Sequence, residues 1–150
     1  MGSNLMAPGV EMAEAVAVYG LEMAPPFEDL RLVATQLAGV LLLVAAGSRA
    51  AAWGHPALHL AEDTYQLAME RIRVATVPRA AAHHHHHLVK AGGLIGDALS
   101  SCRSARLLAS DIDPALSSLK EGWEQLRWTA AALPGFEIVA FDRACCAEHV

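Results

Sequence analysis

Residues 79–110 read RAAAHHHHHLVKAGGLIGDALSSCRSARLLAS, an alanine-rich and proline-free run that carries five consecutive histidines near its start. Apolar side chains recur within it at intervals of three and four residues, which is the spacing of one face of an α-helix. That stripe consists of Leu88, Ala91, Ile95, Leu99, Cys102 and Ala109. We therefore predict one long helix over 79–110 that packs against other helices through this stripe.

The five histidines fall on different sides of this predicted helix. Extended backward, the apolar stripe passes through His84 and is flanked by His85 and His87, whereas His83 and His86 point to solvent. Two histidines three or four residues apart on one face, such as His83 and His87 or His84 and His87, can bind one metal ion. The simpler interpretation is a polar tract at the solvent-facing start of a helix. A purification tag is a further alternative, although such tags stand at chain ends.

The composition favours packed helices over β-architectures. Hydrophobic residues make up 54% of the 150-residue chain and aromatic residues only 5%, whereas strands are richer in aromatic and β-branched side chains. The length is that of one domain with a single core. We accordingly predict one helical-bundle domain over 1–150, with 1–9 and 143–150 as flexible ends.

Charge and cysteine content narrow the classes of partner and compartment. The formal net charge is -5, and the sequence has no cluster of Lys and Arg that would bind phosphates, so nucleic acid is not expected as a partner. The three cysteines include the adjacent pair Cys145 and Cys146, which is poor material for a disulfide framework. A reducing cytoplasm is the expected location.

Periodicity and proline positions place the other elements. Three more main helices are predicted at 28–53, 57–77 and 114–133, preceded by a shorter helix at 10–23. A strand through 15–19 is the alternative near the start, because short apolar runs are ambiguous. Pro25 and Pro26 are expected to end the first helix. The predicted fold is all-α, an antiparallel four-helix bundle with an extra N-terminal helix and an extended C-terminal tail.

The most apolar segment, 32–48 between Arg31 and Arg49, has 17 residues, which is the lower limit for a membrane span. Its polar residues Thr35, Gln36 and Ser48 favour a helix buried in the centre of a bundle instead. A membrane role is therefore the less favoured alternative.

Gly92, Gly93 and Gly96 interrupt good helix formers in the long helix. Each costs about 1 kcal/mol relative to alanine in a helix interior, so a compensating feature is expected. One explanation is the close approach of another backbone at Gly92 and Gly96, and the other is a break into two helices.

A second candidate pair lies on the helix predicted at 57–77. His59 and Glu62 are three residues apart and therefore neighbours on one face, which is more simply an exposed hydrogen-bonded pair than a metal site. His55 precedes Pro56, which suits the first helical position, so His55 is expected just outside the helix.

The candidate metal ligands are thus His83, His84, His87, His59 and Glu62, for zinc, nickel, copper or iron. No Glu-x-x-His motif occurs, which excludes the di-iron carboxylate bundles. In the tail, Cys145, Cys146 and His149 are a weaker zinc alternative because the pair lacks the usual two-residue spacing.

Two classes of function agree with these features. The first is a non-enzymatic helical module that self-associates or binds a protein partner, supported by the excess of apolar residues and by Trp128. Trp128 lies off the apolar stripe of the helix predicted at 114–133, which consists of Leu116, Leu119, Trp123, Leu126, Ala130 and Leu133. The second is a bundle that binds a transition metal or haem through the histidine-rich helix. No catalytic constellation is identifiable, so an enzyme is the less favoured class.

Overall fold

A computed structural model describes residues 8–138 of the chain. The elements are α1 (Pro8–Ala45), α2 (Arg49–Trp53), α3 (Pro56–Val74), a 3₁₀ turn (Arg79–Ala81), α4 (Ala82–Leu108) and α5 (Asp113–Ala132). Residues 8–138 contain no strand, so the all-α prediction is confirmed and the strand alternative at 15–19 is wrong. The predicted bounds of α3, α4 and α5 lie within three residues of those observed.

The helices α1 and α3 form one closely packed pair. Asp29 of α1 lies 3.6 Å from Arg71 of α3, measured from Oδ2 to Nη1. Farther along α1, Val40 shares a groove with Ala57 near the start of α3. Rising numbers on one helix therefore meet falling numbers on the other, and the two helices are antiparallel.

The helices α4 and α5 form the second pair. His87 near the start of α4 contacts Gln125, whereas Ile95 farther along α4 lies against Gly122. These two helices are likewise antiparallel. The four long helices alternate in direction, as short connections between neighbours in a bundle require.

The prediction that Pro25 and Pro26 end a helix is wrong, because α1 runs through both as one 38-residue helix. Each proline removes a backbone donor and leaves the carbonyl four residues earlier without its helical partner. Those carbonyls belong to Leu21 and Glu22, which are exposed and accessible to water. Phe27, just beyond the prolines, is buried, and such core packing supplies most of the stability of a helix in a protein.

The end of α1 also differs from the prediction of a single helix over 28–53. Gly47 adopts a φ of 86°, a left-handed conformation that glycine reaches without steric cost and that commonly ends a helix. The chain then resumes as the short α2. Among residues 8–138, no helix combines the length and the apolarity that crossing a bilayer requires.

The core is built from one apolar stripe on each of the four long helices. The buried members include Leu30, Val33, Leu37, Leu41, Leu58, Ala61, Ile72, Leu88, Ile95, Leu99, Cys102 and Leu126. One predicted member of the α4 stripe, Ala109, is exposed. It lies beyond the end of α4 with a φ of 50°, so its side chain leaves the helical face.

The three glycines of α4 do not break the helix. A Cβ atom at Gly92 would clash with the end of Met69, and one at Gly96 would clash with the hydroxyl end of Tyr65. The close approach predicted at these positions is therefore made by side chains of α3 rather than by a second backbone. Gly93 faces open space.

The described part of the C-terminal tail is short. Phe136 is buried and packs edge-on against Phe27, with ring centroids 5.2 Å apart. The expected extended tail beyond Ile138, and with it Cys145, Cys146 and His149, lies outside the described residues, as do residues 1–7 of the expected flexible N-terminal end.

Candidate functional site

The histidine run occupies the first two turns of α4, directly after the 3₁₀ turn. His84 is buried with 1% of its surface exposed, His85 and His87 are partly buried, and His83 and His86 are exposed. The predicted order of burial of the five histidines is therefore confirmed. Three of the five rings face protein, and they face different partners.

The hydroxyl of Tyr19 joins α1 to two of these histidines. It lies 2.9 Å from Nδ1 of His84 and 3.1 Å from Nδ1 of His85. A tyrosine hydroxyl has one proton, so it donates one of these hydrogen bonds and accepts the other. One of the two rings must therefore carry a proton on Nδ1, and the tautomers of His84 and His85 are coupled through Tyr19.

The surroundings of His84 are otherwise apolar. Its ring centroid lies 4.3 Å from that of Phe136 and 5.5 Å from that of Tyr19. Its Nε2 is buried and has no hydrogen-bond partner within the described part of the chain. Burial, reinforced by the nearby His85 and His87, lowers the pKa of His84 to about 4.

Burial also disfavours the charged forms of His85 and Tyr19. It lowers the pKa of His85 and raises the pKa of Tyr19 to about 12. In each case removal from water disfavours the charged form. Tyr19, His84 and His85 are therefore a neutral hydrogen-bonded group at pH 7.

His87 belongs to a different environment on the side of α5. Its Nδ1 lies 2.8 Å from Oε1 of Gln125 and acts as the donor, because the amide oxygen can only accept. The ring stacks on Trp128 with a centroid separation of 6.2 Å and meets His83 edge-on at 4.6 Å. Trp128 is 58% exposed, so the predicted surface position of this aromatic is confirmed.

His59 and Glu62 belong to α3 and lie beside the end of α4 that is far from the histidine run. Nδ1 of His59 is 4.0 Å from Oε2 of Glu62, and Oε1 of Glu62 accepts a hydrogen bond of 3.2 Å from Arg103. Arg103 is at least sixteen residues from the histidine run, which corresponds to about 24 Å along a helix. One ion cannot contact both places.

The structure thus does not bring the five predicted ligands together. Within residues 8–138, no group of three or more His, Cys, Asp or Glu side chains is placed to hold a metal ion. The physical reason is the antiparallel packing of α3 and α4, which sets the start of α3 beside the end of α4. His55, as predicted, stands just outside α3, where its Nδ1 accepts a hydrogen bond of 3.1 Å from the amide of Ala57.

An apolar surface on the outside of α1 and α3 was not predicted from the sequence. We call it the outward leucine face. Its members are Val10, Leu21, Leu32 and Leu43 on α1, and Leu60, Leu67 and Val74 on α3. Between 36% and 78% of each side chain is exposed, and the intervals of eleven residues on α1 and seven on α3 are the signal that would have revealed it.

Helical geometry places these residues away from the core. On the wheel, Leu32 lies about 180° from the buried Leu41, and Leu67 lies about 180° from the buried Leu58. The contact between Asp29 and Arg71 sets the register of the two helices, so Leu32 and Leu67 stand at the same level. The two rows therefore run side by side on one outer layer of the bundle.

No protein family matches the chain, and neither the characterised proteins nor the solved structures contain a match.

Proposed function

We propose that the protein is a non-enzymatic helical module that binds another protein, either a second copy of itself or a different chain, through the outward leucine face. The observation that carries the proposal is the exposure of seven aliphatic side chains in two adjacent rows. Soluble monomers rarely expose large apolar patches, and such patches mark sites of protein interaction.

The titratable groups of the described residues argue against catalysis. Large pKa shifts occur at Tyr19, His84 and Cys102, and burial is the first cause of each. A general acid or base must reach a proton on the substrate, whereas these three side chains are enclosed in the core. Their perturbed pKa values follow from their structural positions.

Site-specific photo-crosslinking in intact cells tests the proposal. A benzophenone amino acid replaces Leu67 in the centre of the outward leucine face, and in a matched control it replaces Leu107, which is 70% exposed near the end of α4. We expect a discrete protein adduct from position 67 and none from position 107. No adduct from position 67, or the same adducts from both positions, would contradict the proposal.

A transition-metal site is the second candidate, and one observation favours it. The rings of His83 and His87 lie one helical turn apart with centroids 4.6 Å from each other. The Nδ1 atom of His87 is bonded to Gln125, an outer hydrogen bond of the kind that orients histidine ligands. Zinc, nickel, copper or iron bound there would need further ligands from solvent or from another molecule.

Elemental analysis of protein purified without a metal-affinity step tests this candidate. We expect near-stoichiometric metal that disappears in the His83→Ala, His87→Ala variant and persists in His86→Ala, which removes an exposed ring of the same run. Metal-free protein, or equal metal in both variants, would contradict it. Affinity of the run for nickel resin would not distinguish these outcomes.

A further inference from the structure

Four exposed aliphatic residues of α1 are evenly spaced, whereas Val18 and Leu42, which are also exposed, lie outside this row. Val10, Leu21, Leu32 and Leu43 recur at intervals of eleven residues. Eleven residues complete three turns of a helix, so the row deviates only about 20° per interval and runs almost straight for about 50 Å. Equal intervals make the row match its own reverse, with Val10 opposite Leu43 and Leu21 opposite Leu32.

We propose that the occupant of the outward leucine face is a second copy of this chain, and that the two α1 helices cross in antiparallel orientation about a two-fold axis. This inference rests on the proposed function and names the partner. A two-fold interface uses the same patch on both chains and therefore requires self-complementarity. The reversed match of the four aliphatic residues meets that requirement.

The distribution of charge on α1 favours the antiparallel orientation over the parallel one. Glu11, Glu14 and Glu22 lie in the first half of α1, whereas residues 32–45 carry no charge. Parallel copies would set each carboxylate beside its own counterpart, which is destabilising. Antiparallel copies set Glu11 opposite Leu42 and Glu14 opposite Gly39.

One charged pair lies near the middle of the row. Glu28 stands between Leu21 and Leu32, close to where the two-fold axis would pass. Both of its carboxylate oxygens accept hydrogen bonds from Arg31, at 3.0 and 2.8 Å. The charge is therefore compensated within each chain, and the two copies of Glu28 need not repel each other.

The size of the α1 row agrees with a weak, concentration-dependent dimer contact. A strip about 50 Å long and about 10 Å wide, one helix diameter, covers about 500 Å². Two such strips bury about 1,000 Å² in total, which lies at the low end of specific interfaces. A membrane surface is a poorer occupant because the carboxylates beside the row would be repelled by anionic lipids.

Sedimentation equilibrium of the full chain and of two charge variants tests the inference. The variant Leu21→Glu, Leu32→Glu places like charges opposite each other in either orientation. The variant Leu21→Glu, Leu32→Lys places opposite charges face to face only when the helices are antiparallel. Both substituted side chains, Leu21 and Leu32, are exposed in the single chain, and circular dichroism should show equal helix content in the three proteins.

We expect the unmodified chain to be a dimer, the Glu/Glu variant to dimerise at least about a hundredfold more weakly, and the Glu/Lys variant to recover the dimer. A dimer in all three proteins would place the interface elsewhere, and two monomeric variants would exclude the antiparallel orientation. A monomeric unmodified chain would also overturn the inference, whether or not it binds vesicles that contain phosphatidylserine. A heterologous adduct at position 67 would then still uphold the proposed function.

Discussion

The first two turns of α4 carry five histidines, and its middle carries three glycines, yet both stretches are held by tyrosines from neighbouring helices. At the start, Tyr19 of α1 bonds to His84 and His85. In the middle, Tyr65 of α3 lies against Gly96 and donates a hydrogen bond of 3.1 Å to the carbonyl of Gly92. Each tyrosine contacts part of its stretch, namely His84 and His85 at the start and Gly92 and Gly96 in the middle.

The two tyrosine contacts differ in which buried groups depend on them for a hydrogen bond. At the histidine end, buried ring nitrogens rely on a single hydroxyl, and their ionisation is coupled to folding. At the glycine end, the hydroxyl meets a backbone carbonyl that already lies within a helix. We therefore expect the histidine end to respond to acid and to loss of the hydroxyl, and the glycine end to respond mainly to added volume.

Acid should produce the largest difference between the two ends. An unfolded His84 binds a proton near pH 6.5, whereas the folded one binds it only near pH 4. Between these values the unfolded state holds more protons, so stability is present above pH 6.5 and is lost progressively as the pH falls to 4. The pKa difference corresponds to about 3 kcal/mol, measurable by urea unfolding at pH 7 and pH 4.

Two variants test whether His84 causes this loss of stability in acid. His84→Leu should remove the part of the pH dependence that His84 contributes, whatever its effect on stability at pH 7. His86→Leu replaces an exposed ring of the same run and should leave the dependence unchanged. Equal pH slopes in the two variants would show that the response does not come from the buried ring.

Loss of the two tyrosine hydroxyls should have the next largest effect. Tyr19→Phe leaves the buried Nδ1 of His84 without a partner, and such an unsatisfied buried group costs about 2 kcal/mol. Tyr65→Phe removes a bond to the Gly92 carbonyl, which still has the helical amide four residues later as a donor. We expect a loss of about 0.5 kcal/mol there. Equal losses of unfolding free energy in the two variants, measured by chemical denaturation, would contradict the expected difference between the two ends of α4.

Local patterns in the sequence predicted much of this architecture and part of the site. The stripe that includes Leu88, Ile95 and Leu99 determines which side of α4 is buried, and its extension correctly placed His84 in the core. These predictions succeed because helical periodicity is a local property. The surface positions of His83 and His86 follow from the same wheel.

Local sequence patterns could not predict the contacts between residues that are distant in the chain. Tyr19 and His84 are 65 residues apart, and nothing local indicates that their helices meet at that level. The continuation of α1 through Pro25 and Pro26 depends on solvent at two carbonyls and on burial of Phe27, which only the packed structure reveals. The outward leucine face had a visible period, but a period alone does not tell which apolar row remains uncovered.

The smallest effect concerns added volume at the glycine end. Gly96→Ala gains about 1 kcal/mol in helix propensity, but its Cβ would clash with the end of Tyr65, and such overpacking costs about 1–3 kcal/mol. We expect a net loss of about 1 kcal/mol. Gly93→Ala, three residues away on the same helix, faces open space and should instead gain up to about 1 kcal/mol. Opposite signs in thermal unfolding would establish that Gly96 is kept small by Tyr65, whereas a gain in both variants would show that Tyr65 moves aside freely.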